Sequence, residues 1–377
     1  MASRGVAAHG QNTLIVLVIA LLALVTSGFG PPTLIESQTA FTPVPPSTLK
    51  LMNADRPPRI SAKAAVIMDA GTGQVVFEKN SHQRRAMAST TKIMTALVTL
   101  EHAGLTDLVT AGPDVKVEPS IIGLDPGDKL TVEQLLYGLL LPSGNDAAID
   151  LADYVGGSVP KFVAMMNAKA AQLGLKDTHY VTPHGLDADG HETSAYDLAV
   201  LTRVAMQNPE FEKIVSSKQY QIDGPVRWVF KSLNQLLGTY PGADGVKTGY
   251  TDNAGRCLVF SATRDGHRAI AVVLDSADIF GEAAALLNYF FANYGWETLG
   301  QAEEGVLGSY SRDGIVHHLV ARMHPTVVLL KWQASYLRWT FSISEGAAAN
   351  GGAEGVASYY LFGKKAADLP LFSQVNY

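Results

Sequence analysis

Ser89 and Lys92 stand three residues apart at the head of an apolar run, Ile93-Met94-Thr95-Ala96-Leu97-Val98. On a helix, residues i and i+3 share a face, so the amine comes within reach of the hydroxyl. A serine beside an amine pairs a nucleophile with its base, the equipment for acyl transfer through a covalent ester. The plainer reading is an N-cap serine, whose oxygen satisfies an orphan amide, followed by a surface lysine. Ser-x-x-Lys occurs three times in the chain. Ser47–Lys50 lies in a proline-rich stretch, and Ser158–Lys161 has Pro160 between its two residues. Only Ser89/Lys92 joins the spacing to an uninterrupted apolar helix, expected to stop at Gly104.

Two further motifs carry polar groups a site could use. Ser143-Gly144-Asn145 follows Pro142 in a break between helices, where a loop can turn both side chains into a cleft. Ser232-Leu233-Asn234 repeats the pattern without such a break. Lys247-Thr248-Gly249 follows the turn-rich Tyr240–Gly245 and suits an edge strand, with Gly249 allowing close approach to the backbone. A phosphate-cradling loop is excluded there, because Val246 separates Gly245 from Lys247.

The elements that must position these groups follow from periodicity and turn chemistry. Ala65–Asp69 and Gln74–Glu78 flank Ala70-Gly71-Thr72-Gly73 as a β-hairpin. Thr131-Val132-Glu133-Gln134 has the form of a capping box opening a helix to about Leu140. Helices are expected over Asn145–Val155, Val159–Gln172 and Ser194–Met206, with Met165 and Met166 as core. Strands are expected at Gln219–Ile222 and Arg227–Phe230, then a second hairpin, Cys257–Thr263 and Arg268–Leu274, across Asp265-Gly266. A helix over Phe280–Asn293 closes the unit. Hairpin, helical block, hairpin, helix predicts an α+β unit: one antiparallel sheet flanked by helices, assembled from both ends of the unit, with a helical subdomain inserted.

At 377 residues the chain has room for one large and one small domain. Its net charge of −6, without a basic stripe, excludes a nucleic-acid partner. Cys257, the only cysteine, forbids an intrachain disulfide and reads as a buried thiol. Leu14–Val25 is an unbroken apolar run, so residues 1–30 are expected to be a signal peptide or, if uncleaved, a membrane anchor. Residues 31–60 read as a proline-rich tether, 61–298 as the catalytic domain, and 299–377 as a small all-β domain with a sandwich as its candidate arrangement. Leu369–Tyr377 lacks the basic amphipathic character of a membrane-surface helix.

Ser89-Thr90-Thr91-Lys92, Ser143-Gly144-Asn145 and Lys247-Thr248-Gly249, in that order, resemble the three motifs of penicillin-binding proteins and serine β-lactamases. Leu139–Ala148, Met166–Ala170, Thr182–Asp187 and Asp244–Thr251 narrow the resemblance to D-alanyl-D-alanine carboxypeptidases, over roughly residues 60–298. The resemblance implies a β-lactamase/transpeptidase-like fold and an exported serine enzyme of the wall side of the bacterial membrane. Its substrate would be peptidoglycan stem peptides ending in D-Ala-D-Ala, and β-lactams would be covalent inhibitors. It implies Ser89 as nucleophile, Lys92 as general base, and Ser143 as proton relay to the leaving amine. Asn145 would bind the substrate amide and hold Lys92, while Lys247 and Thr248 would bind the terminal carboxylate. Gly249 and Tyr250 would line the site, the oxyanion hole being formed by the amides of Ser89 and Tyr250.

A free lysine with a pKa of about 10.4 is neutral in only about one molecule in 2,500 at pH 7. Burial and the like charge of Lys247 are expected to depress Lys92. No cofactor or metal is expected: His179, His184 and His191, with Asp187 and Asp189 between them, fit no zinc spacing, and the resemblance makes this a structural loop. One departure stands out, since Asp275-Ser276-Ala277-Asp278 occupies the stretch where several relatives carry a carboxylate-binding arginine. A serine β-lactamase shares the three motifs but needs a glutamate-held water, and Glu210 and Glu212 offer no such pattern. A D,D-endopeptidase or transpeptidase differs only in leaving group or acceptor. A non-catalytic wall-binding module is the outlying alternative, disfavoured by three complete motifs.

Overall fold

The computed structural model describes residues 56–223, 228–301, 305–343 and 352–374. The expected signal or anchor segment and most of the tether lie outside these residues, as do Gly224, Arg227 and Ser47–Lys50. Two compact units divide at Gly295/Trp296.

In the larger unit, β1 (Ala64–Asp69) and β2 (Val75–Lys79) form the expected hairpin. A 3-10 turn, Ala88–Thr91, leads directly into α1 (Lys92–His102). Ser89 stands at the helix start with its hydroxyl beside Lys92, as expected, and the plainer N-cap reading fails: it lies inside the turn and its side chain caps nothing. Two short strands, β3 (Leu108–Thr110) and β4 (Lys129–Thr131), pair antiparallel and lead into α2 (Val132–Leu140). The capping box is complete: Gln134 N donates to Thr131 Oγ1 at 3.2 Å, and Thr131 N donates to Gln134 Oε1 at 2.9 Å. Then follow α3 (Asn145–Gly156), α4 (Val159–Gln172), α5 (Ala195–Ala205) and the short α6 (Pro209–Val215). Strands β5 (Gln219–Ile222) and β6 (Trp228–Lys231) pair with each other.

The main sheet is completed by β7 (Ala243–Thr251), β8 (Gly255–Arg264) and β9 (His267–Leu274), in the antiparallel order β2-β1-β9-β8-β7. Asp265 and Gly266 at the β8–β9 turn have φ of 51° and 79°, the positive pair a two-residue hairpin loop requires. Strands β8 and β9 are buried on both faces. Val66, Val259 and Val272 join the helical core of α1–α5, whereas Leu258, Phe260 and Val273, one residue out of phase, face α7 (Ile279–Asn293). This is the expected α+β arrangement, with β7 at its edge. None of the described helices is long and apolar enough to cross a membrane.

The C-terminal unit is antiparallel β. After β10 (Tyr294–Thr298) come β11 (Val306–Arg312), β12 (Ile315–Ala321), β13 (Thr326–Leu330), β14 (Leu337–Ile343), β15 (Gly355–Leu361) and β16 (Lys364–Gln374). Five of them form one sheet, β11-β12-β16-β15-β14. Val327 and Leu329 of β13 share a buried cluster with Leu307, Leu319, Leu369 and Leu371 of that sheet.

Candidate active site

Short elements with unusual backbones bring the three motifs together. Ala88, just before Ser89, has a φ of 48°, a left-handed conformation that costs a non-glycine residue about 1–2 kcal/mol. Two contacts fix the turn. Thr91 Oγ1 donates to Ala88 O at 2.8 Å and lies 2.8 Å from His191 Nε2. His191 Nδ1 accepts from Val181 N at 2.9 Å, so its proton resides on Nε2, which donates to Thr91. Burial pushes the His191 pKa down to about 4, keeping the ring neutral in this role. Within the turn, Ser89 alone keeps partial exposure.

Lys92 is fully buried at the first position of α1. Its Nζ lies 2.9 Å from Ser89 Oγ, 2.7 Å from Asn145 Oδ1 and 2.9 Å from His184 O. Burial, followed by the like charge of Lys247, holds its pKa well below the ordinary lysine value, against the opposing pull of Asp146. Asn145 opens α3, next to Ser143, whose φ is 75°. The Ser143 hydroxyl and the Asn145 Nδ2 amide are buried without a hydrogen-bond partner among the described residues. Such groups cost about 1–3 kcal/mol each when left unpaired, a cost the fold accepts where a ligand completes the bonds.

Strand β7 forms the opposite wall. Lys247 is buried, and its Nζ donates to Thr248 O at 2.9 Å. Burial lowers its pKa to about 7. Thr248 is half-buried, and Tyr250 stands exposed with its hydroxyl donating to Asp252 at 3.0 Å. At Gly249 a Cβ would sit 3.0 Å from Ser89 N and 3.1 Å from Ala88 Cβ, so the absent side chain is what lets the strand press against the Ser89 amide. All eight expected residues therefore fall on three adjoining elements: the 3-10 turn with α1, the α2–α3 break, and β7.

The loop 182–193 proves more important to the site than its sequence announced. His184 supplies a backbone carbonyl to Lys92, while its ring accepts from Leu186 N at 3.1 Å. Asp187 accepts from Thr251 Oγ1 at 2.7 Å, tying the loop to the end of β7. Among the described residues no group of three or more His, Cys, Asp or Glu side chains is placed to hold a metal. In the Asp275–Asp278 stretch, Asp275 is bonded by Arg85 from the segment before Ser89, a pairing distant in sequence and invisible to motif reading. Cys257 is a buried free thiol pushed up to about 11 by burial.

The depressed Lys247 has a consequence for stability. Unfolded, the amine titrates near 10.5; folded, near 7. Between these values the unfolded chain binds more protons, so the Lys247 contribution to stability rises with pH, and below about 7 it is flat. Denaturant unfolding of wild type and Lys247→Met is therefore expected to show wild type gaining on the variant from pH 7 to pH 10. A gap independent of pH would place the amine outside the buried pocket.

Residues 51–278 match the family pattern described as D-alanyl-D-alanine carboxypeptidase (Peptidase_S11). Over 258 residues the chain is 42% identical to D-alanyl-D-alanine carboxypeptidase DacD of Salmonella typhimurium, covering 64% of this chain and 65% of that protein. Against the first curated relatives it matches, the chain spans 63–65% of their length. The crystal structure of penicillin binding protein 5 from Haemophilus influenzae aligns with a TM-score of 0.73 at 31% identity, over 85% of this chain and 98% of that one. The Streptomyces K15 DD-transpeptidase aligns with a TM-score of 0.61 at 38% identity, over 63% of this chain and 99% of that one. With more than half its length inside the family pattern and its three motifs gathered around one buried amine, the chain belongs to the D-alanyl-D-alanine carboxypeptidase family.

Proposed function

We propose that the protein is a serine D,D-carboxypeptidase that removes the terminal D-alanine from peptidoglycan stem pentapeptides through an acyl-enzyme on Ser89, and that β-lactams acylate the same oxygen. The observation that carries this reading is the surroundings of Lys92 Nζ. A neutral amine has two protons and one lone pair. The fixed carbonyl oxygens of Asn145 and His184 take the two protons, and the lone pair is left for the Ser89 hydroxyl. Burial and Lys247 favour that neutral form.

Lys92 accepts the Ser89 proton as Oγ attacks the carbonyl carbon between the two D-alanines. The carbonyl oxygen becomes an oxyanion, bound by the Ser89 and Tyr250 amides. The C–N bond then breaks, and the leaving amine takes a proton passed from Lys92 through Ser143. Water hydrolyses the ester and restores Ser89. Asn145 Nδ2 is free to bind the substrate amide, since only its Oδ1 is committed to Lys92. Lys247 and Thr248 bind the terminal carboxylate, and an arriving anion restores the lysine's proton by pairing with it. Such a substrate lies outside the cytoplasmic membrane, which fits export through residues 1–30 as a cleaved signal or anchor, residues 31–60 as tether, 61–298 as catalytic domain and the β-rich C-terminal segment as an accessory domain.

The test is a labelled penicillin on the intact protein, followed by trypsin and peptide mapping, with D-alanine release from a pentapeptide measured in parallel. The label is expected on the peptide Ala86–Lys92, together with stoichiometric release of D-alanine. A label elsewhere reassigns the nucleophile. Labelling with D-alanine release that turns over only when an amine acceptor is added points to transpeptidation instead.

A further inference from the structure

Asp146 is fully buried at the second position of α3, and it is absent from the roles given above. Its carboxylate accepts from four backbone amides: Ile122 N at 2.8 Å, Gly123 N at 2.9 Å and Leu124 N at 3.2 Å, all from the segment before α2, and Ala147 N at 2.9 Å from its own helix. The same segment accepts a bond from the motif, because Asn145 N donates to Ser120 O at 2.7 Å. The Ile122 side chain then occupies space that two glycines leave open. A Cβ on Gly138 would lie 2.7 Å from its Cδ1, and a Cβ on Gly144 would lie 2.9 Å from its Cγ2. Gly144 N donates to Gly138 O at 2.9 Å, closing the turn around that methyl group.

We propose that Asp146 and Ile122 form a latch whose task is to position Ser143 and Asn145 against Ser89 and Lys92. The proposal rests on the carboxypeptidase reading above. Its physical ground is that the turn it grips cannot hold itself. Ser143 sits at a left-handed φ with its hydroxyl unpaired, and Asn145 Nδ2 is also unpaired, so local interactions favour relaxation. A carboxylate bonded to four amides, and an isoleucine keyed between two glycines, oppose that relaxation from outside the turn. Asp146 and Ile122 are positioning residues, acting on the reaction through Ser143 and Asn145.

Asp146 also acts through charge. Lys92 faces Lys247 from β7, His184 from the loop and Asp146 from α3, and of these Asp146 alone raises its pKa. Asp146 in turn faces Asp150 one turn along α3, whose carboxylate accepts from Gly112 N at 3.1 Å. Removing the Asp146 charge thus makes Lys92 neutral at lower pH.

The experiment follows penicillin acylation of the full chain by stopped flow from pH 5 to pH 10, for wild type, Asp146→Asn and Ile122→Ala. The burst amplitude counts folded sites separately from the rate constant. Both variants are expected to lower the plateau acylation rate about 10- to 100-fold at preserved amplitude, as a displacement near 1 Å would. Asp146→Asn is also expected to move the rising limb of the profile to lower pH, while Ile122→Ala leaves it in place. A purely structural role would lower amplitude alone and move no limb. A plateau within twofold of wild type in Ile122→Ala overturns the latch, and that variant decides alone if Asp146→Asn does not fold. An unmoved limb in a folded Asp146→Asn protein overturns its electrostatic half. A wild type that forms no adduct refutes the carboxypeptidase reading instead.

Discussion

Ser89→Ala is expected to form no covalent penicillin adduct, and Lys92→Arg to acylate about 10⁴-fold more slowly than wild type. The arginine is the sharper of the two changes. A guanidinium keeps a positive charge at every accessible pH and can donate to Asn145 Oδ1 and His184 O, so it satisfies the two carbonyls that Lys92 Nζ now serves. What it cannot offer is a lone pair to the Ser89 hydroxyl. If the lysine worked only as a fixed charge near an oxyanion, Lys92→Arg would keep much of the activity; if it works as a base, it would keep almost none. Lys92→Ala separates the packing component, since it leaves both carbonyls without a donor at about 1–3 kcal/mol each. In wild type the acylation rate should rise with pH along a limb lying below the ordinary lysine value of 10.5, because burial favours the neutral amine. A limb at or above 10.5, or a wild-type rate in Lys92→Arg, would remove lysine from the role of base.

Gly185→Ala should be among the most damaging single-methyl additions in the protein. Gly185 has a φ of 91°, and a Cβ there would lie 2.0 Å from Ala88 O and 2.7 Å from Thr91 Oγ1. The backbone strain and the overpacking together cost roughly 2–5 kcal/mol. The contact also aims at the turn carrying Ser89, so whatever shifts to admit the methyl group moves the Ser89 hydroxyl. A displacement near 1 Å would cost about 10²-fold in acylation rate. Gly190, in the same loop, is the control: its φ is 77°, but a Cβ would meet nothing within 4 Å. Gly190→Ala should cost only about 1–2 kcal/mol and leave acylation near wild type. Thermal melting and labelled-penicillin kinetics on both variants decide the matter, and equal effects would mean that positive φ alone, not the approach to Ala88, fixes Gly185.

The candidate site was legible because its residues are local. Ser89 and Lys92 are one turn apart, Ser143 and Asn145 flank one glycine, and Lys247 and Thr248 are neighbours. Elements with strong local signals were also readable, such as the Thr131/Gln134 box and the Asp265-Gly266 turn. Less legible was how the turn before α1 is built. Serine at a helix start ordinarily reads as a cap, and nothing local shows that a 3-10 turn will instead carry it inward of Met87. The His191–Thr91 bond spans a hundred residues, and the Asp146 contacts reach back more than twenty, with no periodic trace. Strands of three residues, β3 and β4, are too short for alternation to register. In the C-terminal unit alternation announced strands but not their partners: β16 pairs with β12 and β15, and pairing of that kind is settled by tertiary packing.

The two-sided burial of β8 gives consecutive residues of one strand different neighbours. A cavity at Val259 opens into the compartment that holds α1 and the turn carrying Ser89, whereas one at Phe260 opens beneath α7. Repacking beneath α7 can therefore proceed without reaching the side of the sheet that carries Ser89 and Lys92. The sheet serves as a bulkhead between the compartment beneath α7 and the one behind Ser89.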